Sequence, residues 1–239
     1  MPRSLLWDSQ ACLSRFAEPT LKVMQDWVDR QLKINAVVAL MLGGIVWYTF
    51  FSTPSILESL DWENYYRANF HFLFDCLRQG EWPWWNPYVG LGRPFASDLQ
   101  NAIWYPGTYL LLLGETPGLF LLIWVHLLIA SIGVQRVAIE FGADFRWAVP
   151  AGIVFALSGS VGMRLLPGQV FYVFGLCYLP WILLQCHRLP QSPSLRPVIL
   201  LATLQALQFF SGHPQAAWIT IVGTVTYLML TMGWSWYSG

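Results

Sequence analysis

The sequence predicts an all-α polytopic membrane protein. Of its 239 residues, 56% are hydrophobic and only 11% are charged, whereas about a quarter of the residues in a soluble domain carry a charge. The apolar residues also occur in uncharged runs of about 17 to 25 residues, the length of a helix that crosses roughly 30 Å of hydrocarbon. The formal net charge of zero is uninformative about nucleic acid, but no Lys/Arg-rich run occurs, so no nucleic-acid partner is predicted.

Six runs are predicted to cross the membrane, and a large outer loop with interfacial helices separates the first from the second. The fifth and sixth come from one stretch without Asp, Glu, Lys or Arg, which is too long for a single crossing and is interrupted at Ser211-Gly212-His213-Pro214. Residues 103–114 are too short to cross and are predicted to be interfacial or re-entrant. The predicted spans are residues 34–53, 116–136, 147–163, 168–186, 197–212 and 215–235.

The basic residues favour a cytoplasmic N-terminus. With that orientation, nine Lys and Arg residues fall on the inner side and four on the outer side, which agrees with the positive-inside rule. Residues 1–33 are then a cytoplasmic segment, residues 34–239 a membrane domain, and residues 54–107 the first extracytoplasmic loop. No small-residue cleavage pattern follows the first apolar run, which predicts an uncleaved first span.

The first part of the outer loop, residues 60–79, has the pattern of an amphipathic helix. Such a helix lies in the membrane interface with its aromatic face in the acyl boundary, where it forms either the floor of a lipid-facing site or a simple surface spacer. The residues that define this face, at steps of three and four, are Trp62, Tyr66, Phe70, Leu73 and Leu77.

The second part of the loop, residues 80–107, contains four Trp and four Pro residues. Proline fixes backbone angles and glycine permits tight turns, so this segment is predicted to be ordered without regular secondary structure. Its tryptophans favour anchoring at the membrane interface over the stacking of a ligand, because Trp belongs at that interface in any case.

Two carboxylates of the loop are candidates for chemistry. Asp61 follows the first span and Asp98 follows the Gly/Pro-rich stretch, so both are expected near the outer membrane surface. A carboxylate in a partly dry site can accept a proton from a hydroxyl group. An Asp before a helical run is also a favoured N-cap, and the spacing alone favours that interpretation of Asp61.

The sequence lacks the motifs of the common soluble enzymes. It contains no CxxC, HExxH, GxGxxG, Walker or GxSxG pattern. Cys76 is the one cysteine predicted to face outward, so no disulfide partner is expected for it there. Any chemistry is therefore expected in the outer loop.

Several motifs follow one another in the loop and the later spans. The loop contains Asp61-x4-Tyr66, then Arg78-x-Gly80-x2-Pro83-x-Trp85-Asn86-Pro87-Tyr88, then Gly92-x-Pro94-Phe95-x2-Asp98-x-Gln100-x-Ala102-x2-Tyr105-Pro106. The later motifs are Phe155-Ala156-Leu157-Ser158-Gly159, Leu179-Pro180-Trp181 and Gly212-His213-Pro214-Gln215. In this order, over residues 34–216, the chain resembles the YfhO-like family of bacterial membrane proteins.

That family is similar to the GT-C glycosyltransferases, which move a sugar from a polyprenyl-phosphate carrier to an acceptor on the outer side of the membrane. The resemblance implies a GT-C-like fold, the bacterial inner (cytoplasmic) membrane, a lipid-linked sugar donor, surrounding membrane lipids, and a cell-surface glycan or protein as acceptor. It implies that Asp61 is the general base on the acceptor hydroxyl and that Asp98 places the acceptor or a divalent cation. Some members of the superfamily need a metal and others do not, and no spacing here decides this. The family's members are longer, which predicts that this chain corresponds to their N-terminal part.

A lipid phosphate also needs cationic or hydrogen-bond-donating partners. Arg164 lies between the third and fourth predicted spans, where it either meets phosphate oxygens or snorkels to the interface. His213 and Gln215 at the later break are expected on the same side, although a polar turn that satisfies helix ends explains them equally. Arg93 pairs either with a phosphate or with Asp98. The alternative to an enzyme is a non-catalytic lipid-binding or transport protein, which would line a path near the bilayer midplane with polar residues.

Overall fold

The computed structural model describes residues 9–52, 56–191 and 194–238, and most of them are helical. Short 3₁₀ helices occupy Ile56–Glu58, Leu99–Asn101 and Pro106–Leu113, and a π-helical turn occupies Trp62–Tyr66. Two short strands, β1 (Trp85–Asn86) and β2 (Arg93–Pro94), pair antiparallel. The α-helices in these ranges are α1 (Ser9–Ser52), α2 (Arg67–Arg78), α3 (Glu115–Glu140), α4 (Phe145–Ala156), α5 (Gly159–Leu165), α6 (Val170–Cys177), α7 (Leu179–Gln191), α8 (Leu195–Phe210) and α9 (Pro214–Ser238).

Four helical segments of the described chain are long and apolar enough to cross a membrane. They are Trp27–Thr49, Glu115–Glu140, Phe145–Leu165 and Val170–Gln191, and they correspond to the first four predicted spans. The chain is therefore an all-α membrane protein. The fifth predicted span, 197–212, falls on the shorter apolar helix Leu195–Phe210, and the sixth, 215–235, falls within α9. The count of six spans, the GT-C-like fold and the orientation stay predictions.

The chain forms two compact units, and the division lies inside α1, after Met41. The described part of the first unit is a single helix with large exposed apolar side chains, such as Leu32 and Val37. The second unit begins at Leu42 and contains the other helices and the outer loop.

Helix α3 is central to the second unit, where it contacts α4, α6 and α7. Close approach is possible because small residues lie at the crossings. A methyl group at Gly133 would lie 2.7 Å from Nε1 of Trp181, which itself donates to the carbonyl of Ile129 at 2.8 Å. Polar residues in the middle of α3 are buried and bonded within the protein. His126, for example, bonds the hydroxyl of Tyr105 and the carbonyl of Leu122.

The amphipathic helix expected over residues 60–79 forms as the π-helical turn followed by α2, but its aromatic face is not available to lipid. Trp62, Tyr66 and Phe70 are all at most 5% exposed. The rings of Tyr66 and Phe70 lie 4.9 and 5.4 Å from the ring of Phe171 on α6. The expected placement of this face in the acyl boundary is therefore wrong. An apolar helical face has the same sequence pattern whether its partner is lipid or protein.

Candidate functional site

Asp61 lies at the start of the π-helical turn, against the link between α5 and α6. Its backbone N–H donates to the carbonyl of Pro167 at 3.1 Å. The neighbouring Gly168 has a φ of +88°, and a methyl group there would lie 2.8 Å from the backbone nitrogen of Trp62. This close approach of two backbones holds the first residues of the loop against the end of α5.

The Asp61 carboxylate makes no hydrogen bond and no ion pair within the described part of the chain, and it is half-buried. Its backbone angles are helical, φ −74° and ψ −35°, and its side chain forms no capping bond. An N-cap has an extended backbone and a side chain that accepts from the first turn. The N-cap interpretation of Asp61 is therefore wrong.

Asp98 lies in a polar cluster that involves both of its oxygens. Oδ1 accepts from the backbone of Gln100 at 3.0 Å, and Oδ2 accepts from the hydroxyl of Tyr65 at 3.1 Å. Oδ2 also lies 3.5 Å from Nη1 of Arg93, and both side chains are less than one-third exposed. Arg93 donates in addition to Oδ1 of Asn69 at 3.1 Å. Of the two partners predicted for Arg93, the structure shows Asp98.

Tyr66 connects the two candidate acids electrostatically. Burial raises the pKa of the Tyr66 phenol well above its ordinary value, and its proximity to Tyr65, Asp61 and Asp98 raises it further. Burial and the charge of Asp98 likewise raise the pKa of Tyr65. Both phenols therefore stay protonated at neutral pH, and Tyr65 donates to Asp98.

Arg164 and His213 meet at a second cluster. Arg164 donates to Oε1 of Gln169 at 2.7 Å, and its guanidinium carbon lies 4.4 Å from the ring centroid of Tyr172. The other contact of Tyr172 is the ring of His213, at 4.8 Å. Burial lowers the pKa of His213, and the positive charge of Arg164 lowers it further. His213 is therefore neutral at neutral pH.

The helix break at Gly212 adjoins the outer loop. A methyl group at Gly212 would lie 3.0 Å from Cβ of Ala102 and 3.2 Å from Cβ of Phe171. Phe171 also contacts Tyr66, so the loop, α6 and the start of α9 share one region of contact. The break and Ala102 of the loop are therefore adjacent, and the side of the membrane on which they lie stays a prediction.

The remaining predicted residues fit this region unequally. Gln215 is exposed and has no polar partner in the part of the chain that the structure describes. Nε of Arg93 and Nδ1 of His213 are buried and have no hydrogen-bond partner among the described residues. Among the described residues, no group of three or more His, Cys, Asp or Glu side chains is arranged to hold a metal ion.

Sequence reasoning missed a second ion-pair network at the start of the loop. Arg67 donates to Glu115 at 2.6 Å and to the carbonyl of Leu57 at 2.9 Å, and it also pairs with Glu63. Nε1 of Trp62 donates to the same carboxylate of Glu115 at 2.5 Å. This network ties the loop to the first turn of α3. Its partners are 48 residues apart, so no local spacing could have indicated it.

A cavity of about 390 Å³ lies between α6, α7, α8 and α9. Its walls are mostly aliphatic, and the polar groups among them include Gln208, Thr220 and Thr224. Gln208 donates to the carbonyl of Gly175 at 3.0 Å and to Thr220 at 2.9 Å. The cavity therefore offers space for an apolar group rather than a polar path.

The chain matches no protein-family model, no curated protein and no solved structure.

Proposed function

We propose that this protein is a GT-C-type membrane glycosyltransferase of the bacterial inner membrane. It moves a sugar from a polyprenyl-phosphate donor to a cell-surface glycan or protein on the outer face. Asp61 is the general base, and the substrate-binding residues are Asp98, Arg93, Arg164, His213 and Gln215. The resemblance of residues 34–216 to YfhO-like proteins supports the class of reaction.

The observation that carries the proposal is the state of Asp61. Four half-buried carboxylates lie in the described part of the chain, at Asp61, Asp98, Glu115 and Glu140. The last three each pair with an arginine, at distances of 3.5, 2.6 and 2.6 Å. Asp61 alone among these four keeps both oxygens without a hydrogen-bond or ion-pair partner. A general base needs a free lone pair and partial burial, because both favour proton transfer from a hydroxyl group.

In the proposed reaction, the carboxylates of the loop act on the acceptor, and Arg164 and His213 act on the phosphate of the donor. Asp61 accepts the proton of the acceptor hydroxyl, and the freed oxygen forms a bond to the anomeric carbon of the donor. The bond from that carbon to the phosphate oxygen breaks, and its electron pair leaves with the polyprenyl phosphate. Arg164 and His213 bind this phosphate, since a guanidinium and a neutral imidazole can donate to its oxygens. The pair of Arg93 and Asp98 positions the acceptor.

The test compares Asp61→Asn with Glu58→Gln, a nearby carboxylate that is exposed. Membranes that contain each variant receive radiolabelled polyprenyl-phosphate hexoses, and label transferred to lipid-free product is counted. Loss of the base should slow transfer by about 100- to 10,000-fold, whereas Glu58→Gln should leave it unchanged. Transfer at the wild-type rate by folded Asp61→Asn protein would remove Asp61 as the base. Wild-type protein that transfers no more label than empty membranes would remove the function.

The lipid-binding alternative is favoured by the aliphatic cavity between α6, α7, α8 and α9. It predicts that a polyprenyl phosphate protects the lining thiol Cys186 from a small maleimide while no sugar is transferred. The buried polar side chains His126 and Gln208 are bonded inside the protein. They do not form the polar path that a transporter needs near the bilayer midplane.

A further inference from the structure

The outer loop contains a groove that the proposed reaction does not use. It has a volume of about 630 Å³ and lies between the outward side of α2 and residues 81–89. Three aromatic side chains that line it are largely exposed: Trp84 is 67% exposed, Trp85 is 53% exposed and Tyr88 is 83% exposed. Exposed aromatic groups gathered in one concave surface are typical of a binding site rather than of a packed core.

The groove is preformed by contacts beneath it. The ring of Phe72 on α2 meets Tyr88 at 6.0 Å and Phe95 at 4.9 Å, both edge-on. Oδ1 of Asn86 accepts from the backbone of Tyr88 at 2.9 Å, and the backbone of Phe95 donates to the carbonyl of Trp84 at 2.8 Å. The β1–β2 hairpin is thereby held against α2. A preformed site loses little conformational entropy when a ligand binds.

The charge of the groove is negative. Asp75 and Glu81 line it, and no Lys or Arg is among the described residues of its lining. Asp75 pairs with Arg78 at 3.0 Å, so Glu81 supplies the charge that no such pair balances among the described residues. Burial raises the pKa of the Cys76 thiol, and the charges of Glu81 and Asp75 raise it further, as expected of a negative potential at the groove wall. Carboxylates are repelled by the anionic lipids of a membrane surface, so they disfavour a role for these aromatic rings as membrane anchors.

We propose that this groove binds a saccharide chain that has no anionic groups. A pyranose ring presents C–H groups on its faces, which stack on indole rings, and hydroxyl groups around its edge, which bond to amides and carboxylates. An ammonium group on an amino sugar gains in addition from the charge of Glu81 and the faces of the Trp rings. The assignment of this saccharide as the acceptor rests on the proposed function, whereas the binding itself does not.

Asn69 connects the groove with the polar cluster at Asp98. Its side chain lines the groove, is only 3% exposed, and accepts from Arg93 at 3.1 Å. A saccharide in the groove therefore has one end beside the Arg93–Asp98 pair.

The experiment measures the protection of Cys76 by saccharides. Protein in nanodiscs is treated with a small maleimide, and the modification of Cys76 is followed by peptide mass spectrometry. The probes are a glucosamine tetramer, its fully N-acetylated form and a galacturonate tetramer. The first two should slow the labelling of Cys76 in a concentration-dependent way, with the glucosamine tetramer effective at lower concentration. The anionic galacturonate tetramer should have no effect.

Variants separate the contribution of aromatic stacking to saccharide binding from the contribution of the negative charge. Trp85→Ala should raise the half-protecting concentration of both effective probes at least tenfold, and Tyr88→Ala provides a second, more exposed position. Trp147→Ala is the matched control, because Trp147 is 74% exposed and lies on α4, away from the groove. Glu81→Gln should weaken only the glucosamine tetramer. Asp61→Asn should bind all probes like the wild type, which separates this inference from the proposed catalysis.

Three results would contradict the inference. One is the absence of protection by either uncharged or amino saccharide at millimolar concentration. Another is the labelling of Cys76 in detergent but not in nanodiscs when no saccharide is present, because that pattern indicates that lipid covers the groove. Equal protection in Trp85→Ala, Tyr88→Ala and wild-type protein would also exclude stacking on the aromatic wall.

Discussion

Replacing Gly92 with alanine tests whether the β1–β2 hairpin is held in one conformation. Gly92 has a φ of +94°, in the region that favours glycine, and a methyl group there would lie 2.5 Å from Nε1 and 2.8 Å from Cε2 of Trp85. Gly90, two residues earlier, has a φ of +61° and no atom within 4 Å of such a methyl group. Gly90→Ala is therefore a matched control that introduces backbone strain without the clash.

The two variants should differ by the free energy of the clash. Alanine in the left-handed region costs about 1–2 kcal/mol, and both variants incur this cost. Only Gly92→Ala forces the indole of Trp85 to move, which adds about 1–3 kcal/mol by the usual magnitude of overpacking. We expect Gly92→Ala to lower the free energy of local unfolding of the hairpin by about 2–5 kcal/mol. Gly90→Ala should lower it by about 1 kcal/mol, because the φ of Gly90, +61°, is close to the left-handed minimum.

Hydrogen exchange of the loop amides measures this difference. The informative amides are those of Gly92 and Phe95, which donate to the carbonyls of Val89 and Trp84 at 3.0 and 2.8 Å. Since 1.4 kcal/mol corresponds to a factor of ten, Gly92→Ala should accelerate exchange about 30-fold or more and Gly90→Ala about 5-fold. Peptides of α3 should exchange at the wild-type rate in both variants.

Two outcomes would refute this reasoning. Equal acceleration by the two variants would mean that Trp85 does not lie over Gly92 in solution. Acceleration that spreads into α3 would mean that the hairpin is not an independent unit of local stability.

The ion-pair network and the second cluster give two further predictions. Arg67→Gln should lower the free energy of unfolding by about 1–3 kcal/mol, because Arg67 is only 28% exposed and its loss leaves the Glu115 carboxylate without its cation, with Nε1 of Trp62 as its remaining donor among the described residues. The control Arg78→Gln should change the free energy of unfolding by less than about 0.5 kcal/mol, since Arg78 is 71% exposed. Thermal unfolding in detergent compares the two variants, and equal midpoints would contradict a structural role of the network. Arg164→Gln should raise the lowered pKa of His213 part of the way towards 6.5, because one cation is removed while burial remains. Arg164→Lys should leave the pKa of His213 lowered. The pH dependence of His213 carbethoxylation, followed by peptide mass spectrometry, measures this pKa in both variants. An unchanged pKa in Arg164→Gln would exclude the proximity of Arg164 and His213.

The sequence was informative where structure depends on neighbouring residues. Length and hydropathy predicted six spans, and the first four correspond to helices of the described chain that are long and apolar enough to cross a membrane. The interruption at Ser211-Gly212-His213-Pro214 was predicted because glycine and proline end helices. Asp98 was one of the two partners predicted for Arg93, and the structure shows this pair. These features follow from local composition, which a single sequence displays directly.

The parts that the sequence did not show depend on contacts between distant residues. The aromatic face of α2 has the pattern of a lipid-facing helix, and only the fold shows that Phe171 covers it. The pairing of Arg67 with Glu115 likewise needs two elements to meet. The spacing alone favoured an N-cap role for Asp61 because caps precede helices, but Asp61 itself has helical backbone angles and is followed at once by a π-helical turn. Propensity does not indicate such a turn.

The two proposals impose one geometric condition on each other. If the groove holds the acceptor, the chain must enter along α2 and reach the carboxylates past Asn69, whose side chain lines the groove and also bonds Arg93. Asp98 is then suited to positioning rather than to proton transfer, because Tyr65 and the backbone of Gln100 already donate to its oxygens and Arg93 forms an ion pair with it. Under the proposed function, proton transfer falls to Asp61, whose oxygens have no such partner among the described residues. The partners of Asp98, and their absence at Asp61, thus distinguish a carboxylate that orients the acceptor from one that can deprotonate it.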